Sequence, residues 1–145
     1  MRLVTGFVNA FMRFHKAVYV RTDGRVGRRM LVTVPSLLLR TTGHRTGAQR
    51  TAALSYARDG GDYVLVASNN GLDVAPGWYF NLCAAPRVEV QVGRKHIPAI
   101  ALAVNVGEPD YDRLWRLVND NNRGRYYEYR RKTARPIPVV VVRPS

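Results

Sequence analysis

Between Leu37 and Ala57 the chain reads LLLRTTGHRTGAQRTAALSYA, two apolar runs around a loop dense in cations and donors. His44, Arg45, Thr46 and Arg50 lie close together there, with Gly43 and Gly47 among them. Two guanidinium forks, an imidazole and the hydroxyls of Thr41, Thr42 and Thr46 suit the oxygens of a phosphate or carboxylate. The glycines allow a tight path on which backbone N–H groups turn inward as an anion-binding nest. The spacing is neither that of a Walker A loop nor that of a dinucleotide-binding G-x-G-x-x-G, and no long helix follows. On these residues alone, an anion site and a solvated basic turn both stand.

A second stretch, VASNNGLDVAPGWYFNLCAAPRVEVQV, hands a strand over to a helix through a polar, glycine-containing loop. Trp78, Tyr79 and Asn81 after Pro76 make a ledge of aromatic faces and an amide, the equipment a flat heteroaromatic ligand needs. The same residues would serve equally as the core of a short helix. In RYYEY, Tyr126 and Tyr129 sit three apart, so a helix there places both on one face and Tyr127 on another. His15, His44 and His96 are scattered and Cys83 is the lone cysteine, so neither a metal cluster nor an intramolecular disulfide is expected.

The elements that must position these groups are mostly strands. SLLLRTT, RTAALSYAR, DYVLVAS, RVEVQVG, KHIPAIALAV and the terminal IPVVVV are β-branched or alternating runs. Asp59–Gly61 and Val92–Lys95 read as tight turns, and strands joined that way pair antiparallel. PGWYFNLCAAP and EPDYDRLWRLVNDNN read as helices, the second with Tyr111, Leu114, Trp115 and Val118 on one face. The N-terminal segment reads as a basic amphipathic helix over about residues 3–20, followed by the Gly- and Arg-rich connector Asp23–Met30. Two readings of that helix stand: docking on the core, or attachment to an anionic membrane surface. The expected architecture is a mostly β, α+β single domain over 1–145, a small antiparallel barrel with flanking helices.

Composition bounds the partners. The chain has 145 residues and 46% apolar content, an ordinary globular balance, but 23 Lys plus Arg against 10 Asp plus Glu gives a net charge of +13. That excess suits anionic lipid, nucleic acid or a phosphorylated small molecule without choosing among them. The single cysteine suits a reducing compartment. No apolar run approaches the ~20 residues of a membrane-spanning helix, so a cytoplasmic protein, with or without contact to the inner face of the membrane, is expected.

The motifs LLLRTTGHRTGAQR, VASNNG…PGWYFNLCAAPRVEVQVG and TARPIPVVVV together resemble the deazaflavin-dependent nitroreductase family. Its members are actinobacterial flavin/deazaflavin oxidoreductases of split β-barrel, FMN-binding-like fold that use reduced coenzyme F420. The resemblance runs from about Val20 to the C-terminus. It implies that His44, Arg45, Thr46, Gly47 and Arg50 meet the cofactor's phosphodiester and oligoglutamate tail. It further implies that Ala67, Ser68, Asn69, Gly71, Pro76, Trp78, Tyr79 and Asn81 cradle the deazaflavin and its linker. Tyr126 and Tyr129 correspond to aromatic residues over the outer face of the ring, with Ser68 or a tyrosine hydroxyl as a candidate proton donor. The family often carries Arg or Lys where His44 stands and a basic residue where Asn69 stands; Ser55 replaces a tyrosine found in some members.

The activity implied is hydride transfer from reduced F420 to a quinone, or to another activated acceptor such as an enone or nitroaromatic. FMN as the cofactor, or a non-catalytic basic protein on a membrane surface or nucleic acid, are the alternatives. The resemblance leaves monomer and homodimer open and calls for no nucleic acid and no metal.

Overall fold

The computed structural model describes residues 34–145. The helix expected over about 3–20 and the connector 23–30 lie outside the described residues. Among the described residues, seven strands form one sheet: β1 (Ser36–Thr42), β2 (Gln49–Ser55), β3 (Ala57–Asp59), β4 (Asp62–Val66), β5 (Arg87–Val92), β6 (Lys95–Val104) and β7 (Val139–Pro144). Three α-helices among the described residues accompany them: α1 (Gly77–Ala84), α2 (Tyr111–Asn121) and α3 (Arg125–Arg131). The sheet order is β2-β1-β5-β6-β7-β4-β3, and every pair is antiparallel.

That order forces the sheet to curl. β2 and β3 stand at opposite ends of it, yet only Tyr56 separates them in the chain. A flat seven-stranded sheet would hold its two edges some 29 Å apart at ~4.8 Å per strand; the two steps from Ser55 to Ala57 span at most about 7 Å. The sheet therefore rolls into a half-barrel whose open edges meet at Tyr56. The run RTAALSYAR, expected as one strand, is broken there. The Tyr56 amide donates to the Pro35 carbonyl at 3.2 Å, one step beyond the Ser36–Ser55 pair of the β1–β2 ladder, and Asn121 Nδ2 donates to the Tyr56 carbonyl at 2.8 Å. Both tight turns are present, with Asp59 opposite Asp62 and Val92 opposite Lys95.

Successive side chains of a strand face opposite ways, and here both faces of β4 and β7 are covered. Tyr63, Leu65, Val140 and Val142 join Leu37, Leu39, Trp78, Leu82 and Val90 in one apolar cluster. Val64, Val66 and Val139 join Leu114, Trp115, Val118 and Tyr126 in the other. A strand buried on both sides has no use for polar alternation, which accounts for the uninterrupted VVVV of β7. α2 turns its apolar stripe onto this second cluster, and the Tyr111 hydroxyl fixes it by donating to the Ile137 carbonyl at 2.7 Å. Asn119 then joins α2 to α3: its Nδ2 donates to the Trp115 carbonyl at 2.8 Å, and its Oδ1 accepts from the Tyr127 amide at 2.9 Å. The connecting turn passes through Arg123 and Gly124, both at positive φ (63° and 77°).

Candidate active site

Two cavities open in succession along the edge strand β2. One, of about 370 Å³, is bounded by the β1–β2 loop, Thr51 and Ala52 of β2, and Gly77, Trp78 and Asn81 of α1. The other, of about 300 Å³, takes Ala53, Leu54 and Ser55 of β2, then Ser68, Asn122, Tyr126 and Tyr129. The basic loop and the aromatic ledge, 27 or more residues apart in sequence, thus share one cavity. Ser68, Tyr126 and Tyr129 share the next, beside Ser55.

The β1–β2 loop is closed on itself. Gly43 donates to the Ala48 carbonyl at 2.7 Å, Gly47 to the Gly43 carbonyl at 2.8 Å, and Ala48 to Thr46 Oγ1 at 3.2 Å. Gly47 holds the left-handed φ of +74° that this path requires. At Gly43 a Cβ would lie 3.0 Å from the Ala48 oxygen, so the closure leaves no room for a side chain. The glycine N–H groups are thus spent inside the loop. The capacity to hold an anion passes to His44, Arg45 and Arg50 and to the threonine hydroxyls, all of which line the cavity through His44, Arg45, Thr46, Arg50, Thr41 and Thr51. The N-terminus of α1 at Gly77 brings the positive end of a helix dipole to the same space.

Asn81 has a different part from the one expected. Its Oδ1 accepts from the His44 backbone amide at 3.0 Å and lies 2.6 Å from His44 Nδ1, while its Nδ2 donates to Thr41 Oγ1 at 3.0 Å. An amide so fully used clamps the loop onto α1 and has little left for a ligand. Trp78, one helical face with Asn81, lines the cavity; Tyr79 turns toward Phe80 and Cys83 instead. Ala67 is fully buried in the core. Pro76 precedes α1 and accepts from the Tyr79 amide. Asn69 is turned aside, donating to the Val74 carbonyl at 2.9 Å. Gly71 packs on α3: at φ +79°, a Cβ there would stand 2.8 Å from the Tyr129 carbonyl oxygen.

In the second cavity Tyr126 and Tyr129 lie on one face of α3, their ring centroids 6.2 Å apart. Tyr127 stands edge-on to Trp115 at 5.9 Å, outside the cavity. Burial pushes the hydroxyls of both Tyr126 and Tyr129 above the ordinary phenol value, so both remain protonated at neutral pH. Asn122 and Arg125 line the same cavity and pull the other way, Asn122 on Tyr126 and Arg125 on both phenols. Neither Asn122 nor Arg125 was expected here; the α2–α3 turn that delivers them has only the Gly of NNRG as a signal.

Arg135 is the other residue that sequence reasoning missed. Its Nε donates to the Leu72 carbonyl at 2.8 Å, and its Nη2 to the carbonyls of Ser68 at 2.9 Å and Ala67 at 3.2 Å. Thr133 Oγ1 donates to Asp73 Oδ1 at 2.7 Å beside it. The TARP motif is a strap that shapes the loop presenting Ser68.

Residues 11–144 match the family F420H(2)-dependent quinone reductase. The chain belongs to that family. An F420H(2)-dependent quinone reductase of Mycobacterium tuberculosis is 51% identical over 131 residues, covering 90% of this chain and 88% of the relative. A solved F420-H2 dependent reductase (FDR-A) is 37% identical with a TM-score of 0.64, covering 74% of this chain and 93% of its own. Another solved structure, described as a domain-swapped dimer, is 31% identical with a TM-score of 0.68 over 92% of this chain and 98% of its own. The curled antiparallel sheet of this quinone reductase family member is the split barrel that the sequence led one to expect, shared with the solved F420-H2 dependent reductase.

Proposed function

We propose that this chain reduces quinones with the hydride of reduced coenzyme F420, the cofactor's tail in the basic cavity and the acceptor in the tyrosine-lined one. The observation that carries this reading is the succession of the two cavities along β2, cationic at Thr51–Ala52 and phenolic at Ala53–Ser55. A ligand with a planar ring and a polyanionic tail matches that order of donors. His44, Arg45 and Arg50 would hold the phosphodiester and carboxylates, Trp78 and the β2 backbone the linker and ring. When bound, reduced F420 supplies a hydride, and a quinone that takes up a hydride and one proton becomes a hydroquinone.

The protein's share is position, shielding and the proton. Tyr126 and Tyr129 cover a flat acceptor and keep water from the path of the hydride. Their protonated hydroxyls, and that of Ser68, are donors to an acceptor oxygen as negative charge develops on it. Asn122 and Arg125 orient the two phenols, and Arg135 fixes Ser68. Family membership and the tail-matching cations support F420 over FMN, which carries a single phosphate. Titrating the purified protein with F420 and with FMN, then adding menadione to the F420H2 complex, tests the reading; stoichiometric FMN binding without F420 binding would defeat it.

Quinones of respiratory chains dissolve in lipid, and a net charge of +13 favours an anionic surface. Both support a cytoplasmic location at the inner face of the membrane, tested by salt-sensitive sedimentation with anionic vesicles. A homodimer is supported by the domain-swapped neighbour and is read out by light scattering.

A further inference from the structure

We propose that His44 grips the anionic part of the cofactor only when its imidazole carries two protons, so that this chain's hold on the tail loosens as pH rises. This presupposes the F420 reading above and adds to it a condition of charge.

The geometry fixes the tautomer. Asn81 Oδ1 receives the His44 backbone N–H at 3.0 Å and faces Nδ1 at 2.6 Å. Turning the amide over would set Nδ2 against that backbone N–H, donor against donor, so the oxygen stays where it is. An oxygen with no proton can bond Nδ1 only if Nδ1 carries the hydrogen. The framework is stiff: Asn81 is 5% exposed and donates to Thr41, itself 3% exposed. With Nδ1–H committed, Nε2 of the neutral ring is an acceptor, and its lone pair repels an oxyanion. Protonation turns that atom into a charged donor in one step.

Much of the loop's backbone is already committed. The N–H groups of Gly43, His44, Gly47 and Ala48 are already used. Asn81 holds the ring at Nδ1, Phe80 lies 6.0 Å from it, and Thr41 from β1, Arg50 from β2 and Arg45 and Thr46 from the loop line the same cavity. No carboxylate lines this cavity among the described residues, so the counter-charge for a doubly protonated ring comes from the ligand. Arg45 and Arg50 hold the tail as permanent cations, and His44 adds its contact only with both ring nitrogens protonated.

The experiment measures the dissociation constant of oxidised F420 from about pH 5 to about pH 8 for wild type, His44→Gln and His44→Arg. Wild-type affinity should fall about tenfold from the acid to the alkaline end, the size of one charge-assisted contact. His44→Gln should be weak and flat, His44→Arg tight and flat. A tail-free deazaflavin riboside carries the same ionisable ring and should show no difference among the three proteins. The form with the phosphodiester but no glutamates separates the two oxyanion sources: a retained His44-dependent slope assigns the phosphate, a lost one the carboxylates.

Nitrogen-15 NMR of the histidine side chains gives a second readout. It should find His44 protonated at Nδ1 in the free neutral protein and at both nitrogens in the F420 complex. Identical slopes for wild type and His44→Gln, or a neutral ring with its hydrogen on Nε2, would overturn the proposal and leave the F420 reading intact. Failure of every protein to bind any deazaflavin would sink both.

Discussion

Arg135 Nη2 donates to the Ser68 carbonyl at 2.9 Å, bridging 67 residues of chain to set one wall of the acceptor cavity. Burial holds the guanidinium below its ordinary pKa, yet it stays far above neutrality and charged. Arg135→Ala leaves the carbonyls of Ala67, Ser68 and Leu72 without this donor. Stability should drop by about 2–4 kcal/mol, a denaturation midpoint shift measurable by urea titration. Arg135→Lys, which cannot fork, should recover only part of it. An Arg135→Ala protein as stable as wild type would show that the strap is dispensable.

Tyr129→Ala opens the acceptor cavity and removes a phenolic donor while leaving the basic cavity untouched. Its kcat/KM for menadione should fall about tenfold or more, with F420 affinity nearly unchanged. Tyr127→Ala should instead lower stability by about 1–3 kcal/mol, because that ring packs on Trp115 and lies near the Arg130 guanidinium. Steady-state kinetics alongside thermal melts separate the two. The reverse pattern would place the acceptor elsewhere on α3.

Much of this arrangement was legible in the sequence, and the misses have physical causes. Alternation and tight turns gave the strands, and the three-residue spacing of Tyr126 and Tyr129 gave their common face. The break at Tyr56 was not legible, because sheet curl is a property of all seven strands and leaves no mark in the one that bends. The glycines of the basic loop suggested inward N–H groups, but the loop satisfies those donors itself. Arg135 sat in a recognised motif, TARP, whose partners lie more than 60 residues upstream; no local pattern announces such a bond.

Gly71→Ala tests how the loop and α3 share the cavity wall. An added Cβ meets the Tyr129 carbonyl at 2.8 Å and Lys132 at 3.1 Å, at a φ of +79° that L-residues avoid. A loss of about 1–3 kcal/mol is expected, together with weaker acceptor kinetics, since α3 must shift to relieve the contact. Unfolding curves and menadione kinetics check both. Unchanged values for both would mean that this approach is not tight in solution.

Burial raises the hydroxyl pKa values of Tyr126 and Tyr129 above the ordinary value near 10. The sign follows directly: a group raised on folding contributes its stability in full below the unfolded value, and that contribution is lost as pH climbs through the folded one. Between pH 7 and about 10, neither phenol should therefore limit the acceptor reaction or stability. Ultraviolet titration should show tyrosinate from these residues only above that range, with one late component absent in Tyr126→Phe. An early tyrosinate signal lost in that variant would contradict it.

The central claim is that this chain passes a hydride from reduced F420 to a quinone, with the tail held by the cations of the β1–β2 loop. The most direct measurement mixes F420H2 with menadione and follows the return of oxidised deazaflavin absorbance, with wild type and with Arg50→Ala. The account predicts protein-dependent turnover by wild type. For a folded Arg50→Ala protein it predicts an F420H2 KM raised roughly ten- to hundredfold, the value of one charge-assisted contact. No protein-dependent oxidation of F420H2, or the same F420H2 KM with and without Arg50, would contradict it.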